Sequence, residues 1–455
     1  MLKSDLDPIV AVATAMGKGG IGIVRLSFRK ELDDVVLHEL FGRSLAPRYA
    51  TLVNYRNKEG ELLDQVLALF FPAPHSYTGE SVLEIQAHGG GVLLQLIVRD
   101  CLERLQAFNI RLAEPGEFTQ RAFLNGRIDL MQAEAVADVI DAVSGAATMA
   151  AARSLSGEFS THIHRLGVGL DELRAYIEAT LDFPEEEVEN LQHGQITRRL
   201  SALQKELQEI LQKANRGQIL RDGLCVAIVG SPNVGKSSLL NALAEDDVAI
   251  VTDIPGTTRD KIETWITISG VPIKIVDTAG IRETDNTVEK KGIERALKEV
   301  AKANIVLHIQ DASGVIPNDE GTLQQILSQV RPEVPLLTIW NKADLAEGIN
   351  KTDSAIVLSA KTGQGLDKLR DKLLSLAGLE STSEGLYMAR DRHLQCLKEA
   401  AVHIQEALDD LAAEGMLELV AEELRLAGRN LGEILGETVP DDLLGIIFSK
   451  FCIGK

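Results

Sequence analysis

The 455-residue sequence predicts a multidomain chain with α+β and α/β parts: an N-terminal α+β domain, a helical domain split in two, and an α/β domain inserted between its halves. Three observations predict this. Short β-branched runs separated by turns fill residues 1–120. A texture rich in Ala, Leu, Glu and Arg with helical apolar spacing covers residues 117–214 and returns over 392–451. Between these stretches, apolar strands end repeatedly in short polar motifs. The boundaries read as 1–120, 121–217, 218–380 and 381–455. Flanking helical stretches point to one discontinuous domain, because the chain ends of a domain usually lie close together. A linear series of four domains is the alternative.

Bulk properties narrow the function classes. Hydrophobic content of 45% and charged content of 25% are those of a globular protein. No apolar run approaches the ~20 residues that span a bilayer, and the acidic start Met1-Leu2-Lys3-Ser4-Asp5-Leu6-Asp7 lacks a secretory signal. A cytoplasmic location, with no membrane partner, is expected. A net charge of −20 argues against sequence-blind binding to nucleic acid but leaves room for a local basic patch. Cys101, Cys225, Cys396 and Cys452 are far apart and suggest neither a zinc knuckle nor a disulfide framework.

In the first domain, residues 21–27, 65–71 and 82–86 read as strands and 92–105 as an amphipathic helix. Gly17-Lys18-Gly19-Gly20-Ile21-Gly22 formally fits a dinucleotide fingerprint, but a strand rather than a helix follows it. His88-Gly89-Gly90-Gly91 resembles an esterase oxyanion string without a nucleophile elbow, and reads better as a close glycine turn. In the helical stretch, Ile140, Val143 and Ala147, then Leu170, Leu173 and Ile177, recur at helical spacing. Phe183-Pro184 breaks the pattern before Glu185-Glu186-Glu187 starts another helix.

The inserted domain carries the chemistry. The apolar run 225–229 leads into Gly230-Ser231-Pro232-Asn233-Val234-Gly235-Lys236-Ser237, and 236–244 follows as a helix. Strand, glycine loop and helix N-terminus form a phosphate cradle. Glycine lets backbone N–H groups turn inward, Lys236 bridges terminal phosphates, and Ser237 holds Mg²⁺, with Ser238 next in the helix. Thr252-Asp253-Ile254-Pro255-Gly256-Thr257-Thr258-Arg259-Asp260 reads as a switch loop in which Thr258 reaches Mg²⁺. A hairpin, 262–268 and 271–276 turning at Ser269-Gly270, delivers Asp277-Thr278-Ala279-Gly280. After the apolar run 334–340 comes Asn341-Lys342-Ala343-Asp344. The Asp344 carboxylate can accept two hydrogen bonds from guanine that adenine does not offer. Ser359-Ala360-Lys361, after 356–358, supplies a backbone donor to the guanine oxygen. Four motifs in order, each at a strand end, predict a Ras-like P-loop domain that binds and hydrolyses GTP. Ile281 stands where Ras-like proteins place a water-positioning glutamine, so another group must orient the water; Arg282, Glu283, Asp285 and Glu289 are nearby.

The P-loop with Asn233, the string TDIPGTTRD, and the terminal Phe451-Cys452-Ile453-Gly454-Lys455 together resemble the MnmE (TrmE) family of tRNA-modification GTPases. The likeness extends to SYTGESVLEIQAHGG (residues 76–90) and PGEFTQRAFLNGRIDL (residues 115–130), and so spans essentially the whole chain. The resemblance implies a homodimer that works with the flavoprotein MnmG, in a heterotetramer, to install an aminomethyl-type group on carbon 5 of the wobble uridine of certain tRNAs. It implies a tetrahydrofolate-binding, dimerising N-terminal domain, with 5-formyl- or methylene-tetrahydrofolate contacted by Arg25, Glu84, Arg127 and Lys455. Arg127 stands where a lysine also occurs in the family. By pattern alone Arg25 reads as a strand-edge charge and Glu84 as a solvent-facing residue. The resemblance further implies a K⁺ ion held by Asn233, Thr252, Ile254 and Thr257, and a water oriented by Glu289. A regulatory GTPase switch, such as a ribosome-assembly factor, is the competing class. Cys452 reads either as a nucleophile or as a small apolar residue.

Overall fold

The computed structural model describes residues 7–15, 17–182, 189–244, 263–277, 301–315, 324, 328, 331–332, 334–346, 355–379, 385–413, 416–437, 440–449 and 451–454. They fall into two compact units, one built from Met1–Ala137 with Leu431–Lys455 and the other from Asp138–Asn430.

The first unit is organised by a six-stranded sheet made of β1 (Ile9–Val12), β2 (Gly19–Phe28), β3 (Thr51–Arg56), β4 (Leu62–Phe71), β5 (Ser81–Gly89) and β6 (Arg111–Leu112), in the order β3-β4-β5-β2-β1-β6. All neighbours are antiparallel except β1 and β6. Strand alternation sends Val24, Leu26 and Phe28 of β2 and Leu83, Ile85 and Ala87 of β5 to one face, where the helices Asp33–Phe41 and Gly91–Arg104 cover them. Arg25, Ser27 and Glu84 therefore share the opposite face. The C-terminal helix Asp441–Ser449 returns to this unit, and Leu444, Ile447, Phe448 and Phe451 pack on Leu130 and Ala133. Sequence reasoning missed β1, β3, β6 and the helix Asp33–Phe41. Gly19, Gly20 and Gly22 lie within β2, as expected of a strand rather than a dinucleotide loop.

The second unit contains the α/β sheet: β7 (Leu224–Val229), β8 (Glu263–Ile268), β9 (Val271–Asp277), β10 (Ile305–Asp311), β11 (Leu336–Asn341) and β12 (Ile356–Val357), ordered β12-β11-β10-β7-β9-β8. Only β8 runs antiparallel, joined to β9 by a tight turn in which Ser269 (φ 50) and Gly270 (φ 80) both take left-handed conformations. The helix Lys236–Ala244 matches its expected span, while β11 begins at Leu336, after Pro335. Strand β7 is buried along its whole length, as a central parallel strand requires.

Around this sheet stand long helices, among them Gly145–Leu155, Glu158–Asp182, the 34-residue Glu189–Asp222, and Asp391–Ala413. The chain segments on either side of the α/β insert pack together. Phe159 stacks on Tyr387 with ring centroids 4.8 Å apart, and Gln204 hydrogen-bonds Gln405 at 2.6 Å. Buried Asp138 accepts from Arg221 Nε at 3.1 Å and from Arg390 Nη2 at 2.8 Å, tying the chain before the insert to the chain after it. A Cβ at Gly217 would collide with the Tyr387 carbonyl, so the absent side chain permits this approach. These contacts make the helical part discontinuous with the α/β sheet inserted in it. The break expected at Phe183-Pro184 and Glu185 to Glu187 lies outside the described residues.

Candidate functional site

Strand order in the α/β sheet reverses around β7, which pairs with β10 on one side and β9 on the other. A crevice at the carboxyl ends of such strands is where open α/β sheets bind ligands. The loops after β7, β11 and β12 meet there.

The phosphate loop is shaped by backbone close to its neighbours. Val234 is buried in the sheet's core and anchors the loop. Asn233 (φ 61) holds a left-handed conformation that asparagine tolerates better than most residues, and its side chain is exposed. At Gly235 (φ 95) a Cβ would strike the Asn341 amide nitrogen, and at Gly230 it would strike the Ile309 carbonyl. Both glycines are therefore required by close approach. Buried Lys236 donates from Nζ to the Gly230 carbonyl at 2.6 Å and the Ser231 carbonyl at 3.0 Å, so its ammonium sits inside the loop it would serve. Ser237 and Ser238, at the start of the following helix, are exposed.

The residues expected to read the base join this loop directly. Buried Asn341 donates from Nδ2 to the Val234 carbonyl at 2.8 Å and accepts at Oδ1 from the Ala360 N–H at 3.0 Å. Lys342 (φ 63) turns the chain, and its Nζ donates to Asp311 Oδ2 at 3.1 Å. Burial alone would raise the Asp311 carboxyl, but hydrogen bonds from Ser313 and the Lys342 ammonium outweigh it and hold the group below the ordinary carboxylate range. The Ala343 N–H donates to the Leu358 carbonyl, and Ser359 Oγ donates to Asp344 Oδ1 at 2.6 Å. Asp344 and Lys361 are both exposed. Sequence reasoning missed Asp311 and Ser313 along with β10; the run Ile305–Asp311 ending in an acid was the available signal. Thr252, Asp253, Ile254, Pro255, Gly256, Thr257, Thr258, Thr278, Ala279, Gly280, Ile281 and Glu289 lie outside the described residues, and Asp277 ends β9.

The first unit holds a separate polar site. Arg25 and Glu84 are register partners on the central strands β2 and β5. Arg25 Nε and Nη2 both lie 2.9 Å from Glu84 Oε1. These side chains are only 22% and 17% exposed, so the pattern-only readings of Arg25 as an edge charge and Glu84 as solvent-facing are both corrected: each strand is paired on both sides. The guanidinium also donates to the Gly454 carbonyl at 3.3 Å and lies 5.8 Å from the Tyr77 ring centroid and 5.7 Å from that of Phe118. Tyr77 Oη is within 2.8 Å of Thr119 Oγ1, and burial pushes its hydroxyl pKa up. Behind it, Arg121 bridges Glu80 and Glu117, both at 2.8 Å, and Ser27 bonds Thr78 and Glu80. Arg127 is exposed and flanks the 77–79 turn, where a Cβ on Gly79 would meet its Cγ at 3.2 Å. Lys455 is outside the described residues. Tyr77, Phe118, Glu80 and Arg121 sit inside the two strings recognised in the sequence, but nothing in their pattern distinguished them. Cys452 is exposed, which does not suit an apolar packing role, and its carbonyl accepts from the Gly116 N–H. Gly89 ends β5 as the register partner of Gly19, and a Cβ there would meet the Gly19 carbonyl carbon at 2.8 Å, so the close approach comes from strand pairing rather than from a turn.

Family models now bear on both sites. One described as the MnmE helical domain matches residues 130–452, and one described as the GTP-binding protein TrmE N-terminus matches residues 8–127. The chain belongs to the MnmE family. A tRNA modification GTPase MnmE of Acidovorax sp. (strain JS42) is 52% identical over 100% of both chains. The same-named protein of Paracidovorax citrulli (strain AAC00-1) is 50% identical, again over 100% of both. Among solved structures, the FeoB G-domain from Methanococcus jannaschii is 27% identical, covering 34% of this chain and 97% of that one, with a TM-score of 0.26. The MnmE models together span the N-terminal sheet with the Arg25 and Glu84 pair and the helical segments on both sides of the phosphate loop. Among the described residues, no helix is long and apolar enough to cross a membrane.

Proposed function

We propose that this chain hydrolyses GTP, and that hydrolysis serves addition of a carboxymethylaminomethyl or aminomethyl group to carbon 5 of the wobble uridine of certain tRNAs. The observation that carries the reading is Asn341, whose amide links the phosphate loop at Val234 to the base-reading loop at Ala360 in a chain matched end to end by MnmE proteins. Lys236 and Ser237 take the phosphates and Mg²⁺, with Thr258; Asp344 selects guanine; Glu289 orients water. The exposed Asn233 side chain suits a hard monovalent cation, and with Thr252, Ile254 and Thr257 it would hold K⁺. When bound, these ions supply positive charge against the phosphates. Asp344 is preset by Ser359, and Lys236 is held by loop carbonyls that it would exchange for phosphate oxygens.

The half-buried face around Arg25 and Glu84 supports a reduced-folate site, completed by Arg127 and Lys455. A carboxylate paired with a guanidinium that lies 5.8 Å and 5.7 Å from two aromatic ring centroids suits a flat heterocycle with donors and acceptors on its edge. The working form is a cytoplasmic homodimer partnered by MnmG, with domains at 1–120, 121–217, 218–380 and 381–455. The test is K⁺-stimulated GTP turnover alongside mass spectrometry of wobble nucleosides from cells whose sole copy is this chain. Asn233→Ala should abolish the K⁺ stimulation. Arg25→Ala should spare turnover while leaving the uridine unmodified. Normal nucleosides in a null strain would remove the modification role and leave a GTPase switch.

A further inference from the structure

We propose that His403, Glu406 and Glu423 form a binding site for a divalent transition metal, with Zn²⁺ the ion whose chemistry they suit best. His403 and Glu406 are three residues apart on the helix Asp391–Ala413 and so share a face. Glu423 reaches them from the helix Leu417–Leu435. His403 Nδ1 lies 2.6 Å from Glu423 Oε2 and 3.6 Å from Glu406 Oε2. One ligand atom from each of the three falls within 4.8 Å of the others. Zinc takes nitrogen and oxygen ligands at about 2.0–2.2 Å, which sets its donors roughly 3–4 Å apart. The 2.6 Å contact is a hydrogen bond, which the ion would replace as His403 and Glu423 move apart by about half an ångström, while Glu406, whose side chain is 54% exposed, has room to rotate toward them.

Charge supports the assignment independently of the spacing. Among the described residues neither carboxylate is paired with a lysine or arginine; the imidazole is their only charged or ionisable partner. Two carboxylates around one imidazole leave negative charge uncompensated on a partly buried surface, which a divalent cation neutralises. The imidazole favours zinc, nickel or cobalt over magnesium or calcium. Three protein ligands leave room for water in the remaining position, and the bound ion would staple the two helices together. The site shares no residue with the phosphate loop.

The experiment is Zn²⁺ titration of the full chain by calorimetry, after chelator treatment and with GDP and excess Mg²⁺ filling the nucleotide site. Wild type should take up one Zn²⁺ more than His403→Ala, and its thermal unfolding temperature should rise with Zn²⁺ where that of His403→Ala does not. Glu406→Gln leaves the bond between His403 and Glu423 intact, so it should melt like wild type in chelator yet lose at least about tenfold in Zn²⁺ affinity. Equal stoichiometry in wild type and His403→Ala would overturn the proposal, as would an unchanged affinity in Glu406→Gln.

Discussion

Replacing Asn341 with alanine should loosen the α/β sheet by an amount its two hydrogen bonds set. Asn341→Ala strips the Val234 carbonyl and the Ala360 N–H of their shared partner. An unsatisfied buried polar group costs about 1–3 kcal/mol. Val234 is fully buried and its carbonyl falls in the upper part of that range, while half-buried Ala360 finds water and falls at the bottom. The sum is about 2–4 kcal/mol. The chain has two tryptophans, Trp265 on β8 and Trp340 on β11, so their fluorescence reports this sheet alone. With a urea dependence of about 2 kcal/mol per M, the midpoint of the fluorescence transition should fall by about 1–2 M. Asn341→Asp keeps the acceptor for Ala360 but turns an oxygen toward the Val234 carbonyl, so it should rescue no more than about half of the loss. An Asn341→Ala midpoint within ~0.2 M of wild type would refute the coupling.

Three further outcomes are expected. Asp311 is held below its ordinary pKa of 3.8, so its contribution to stability is present above that pH and fades as pH falls below it. Lys342→Met should therefore lower the tryptophan midpoint at pH 7 by about 0.5 M urea, and the gap to wild type should close on acidification below pH 3.8. Asp138→Asn leaves Arg221 and Arg390 facing a neutral amide, and since both are partly exposed the loss should be nearer 3 than 5 kcal/mol, about the lower end for a broken buried pair; calorimetry should show a lower melting temperature with GTP affinity unchanged. Asp344→Asn should weaken GTP binding at least about 100-fold and favour xanthosine triphosphate, whose ring oxygen accepts where the guanine amine donates; unaltered GTP binding would remove Asp344 from base recognition.

The α/β insert was legible because its strands are short, apolar and punctuated. Among the described residues, motifs fall where a buried strand meets solvent, as Val229 into Gly230 and Asn341 into Lys342 show. The hairpin turn at Ser269-Gly270 was legible from turn chemistry alone. By contrast β1 and β6 are short, and β6 presents only Arg111 and Leu112, too little for period-two alternation to register. The pairing of Arg25 with Glu84 depends on the register of strands nearly sixty positions apart, which no local pattern encodes. Without the family resemblance those two residues would have passed for surface charges, and Tyr77 and Phe118, which frame them, would have passed for ordinary core.

The helix Glu189–Asp222 ends one residue before β7, and β7 runs straight into the phosphate loop. At 1.5 Å per residue its 34 residues make a rod about 50 Å long. Gly223, left-handed at φ 77 and packed against the Trp265 ring, is the joint at its base. A rotation of about 10° there would carry the far end of the rod through about 9 Å. Any change of angle at Gly223 would thus be multiplied along the length of a single helix.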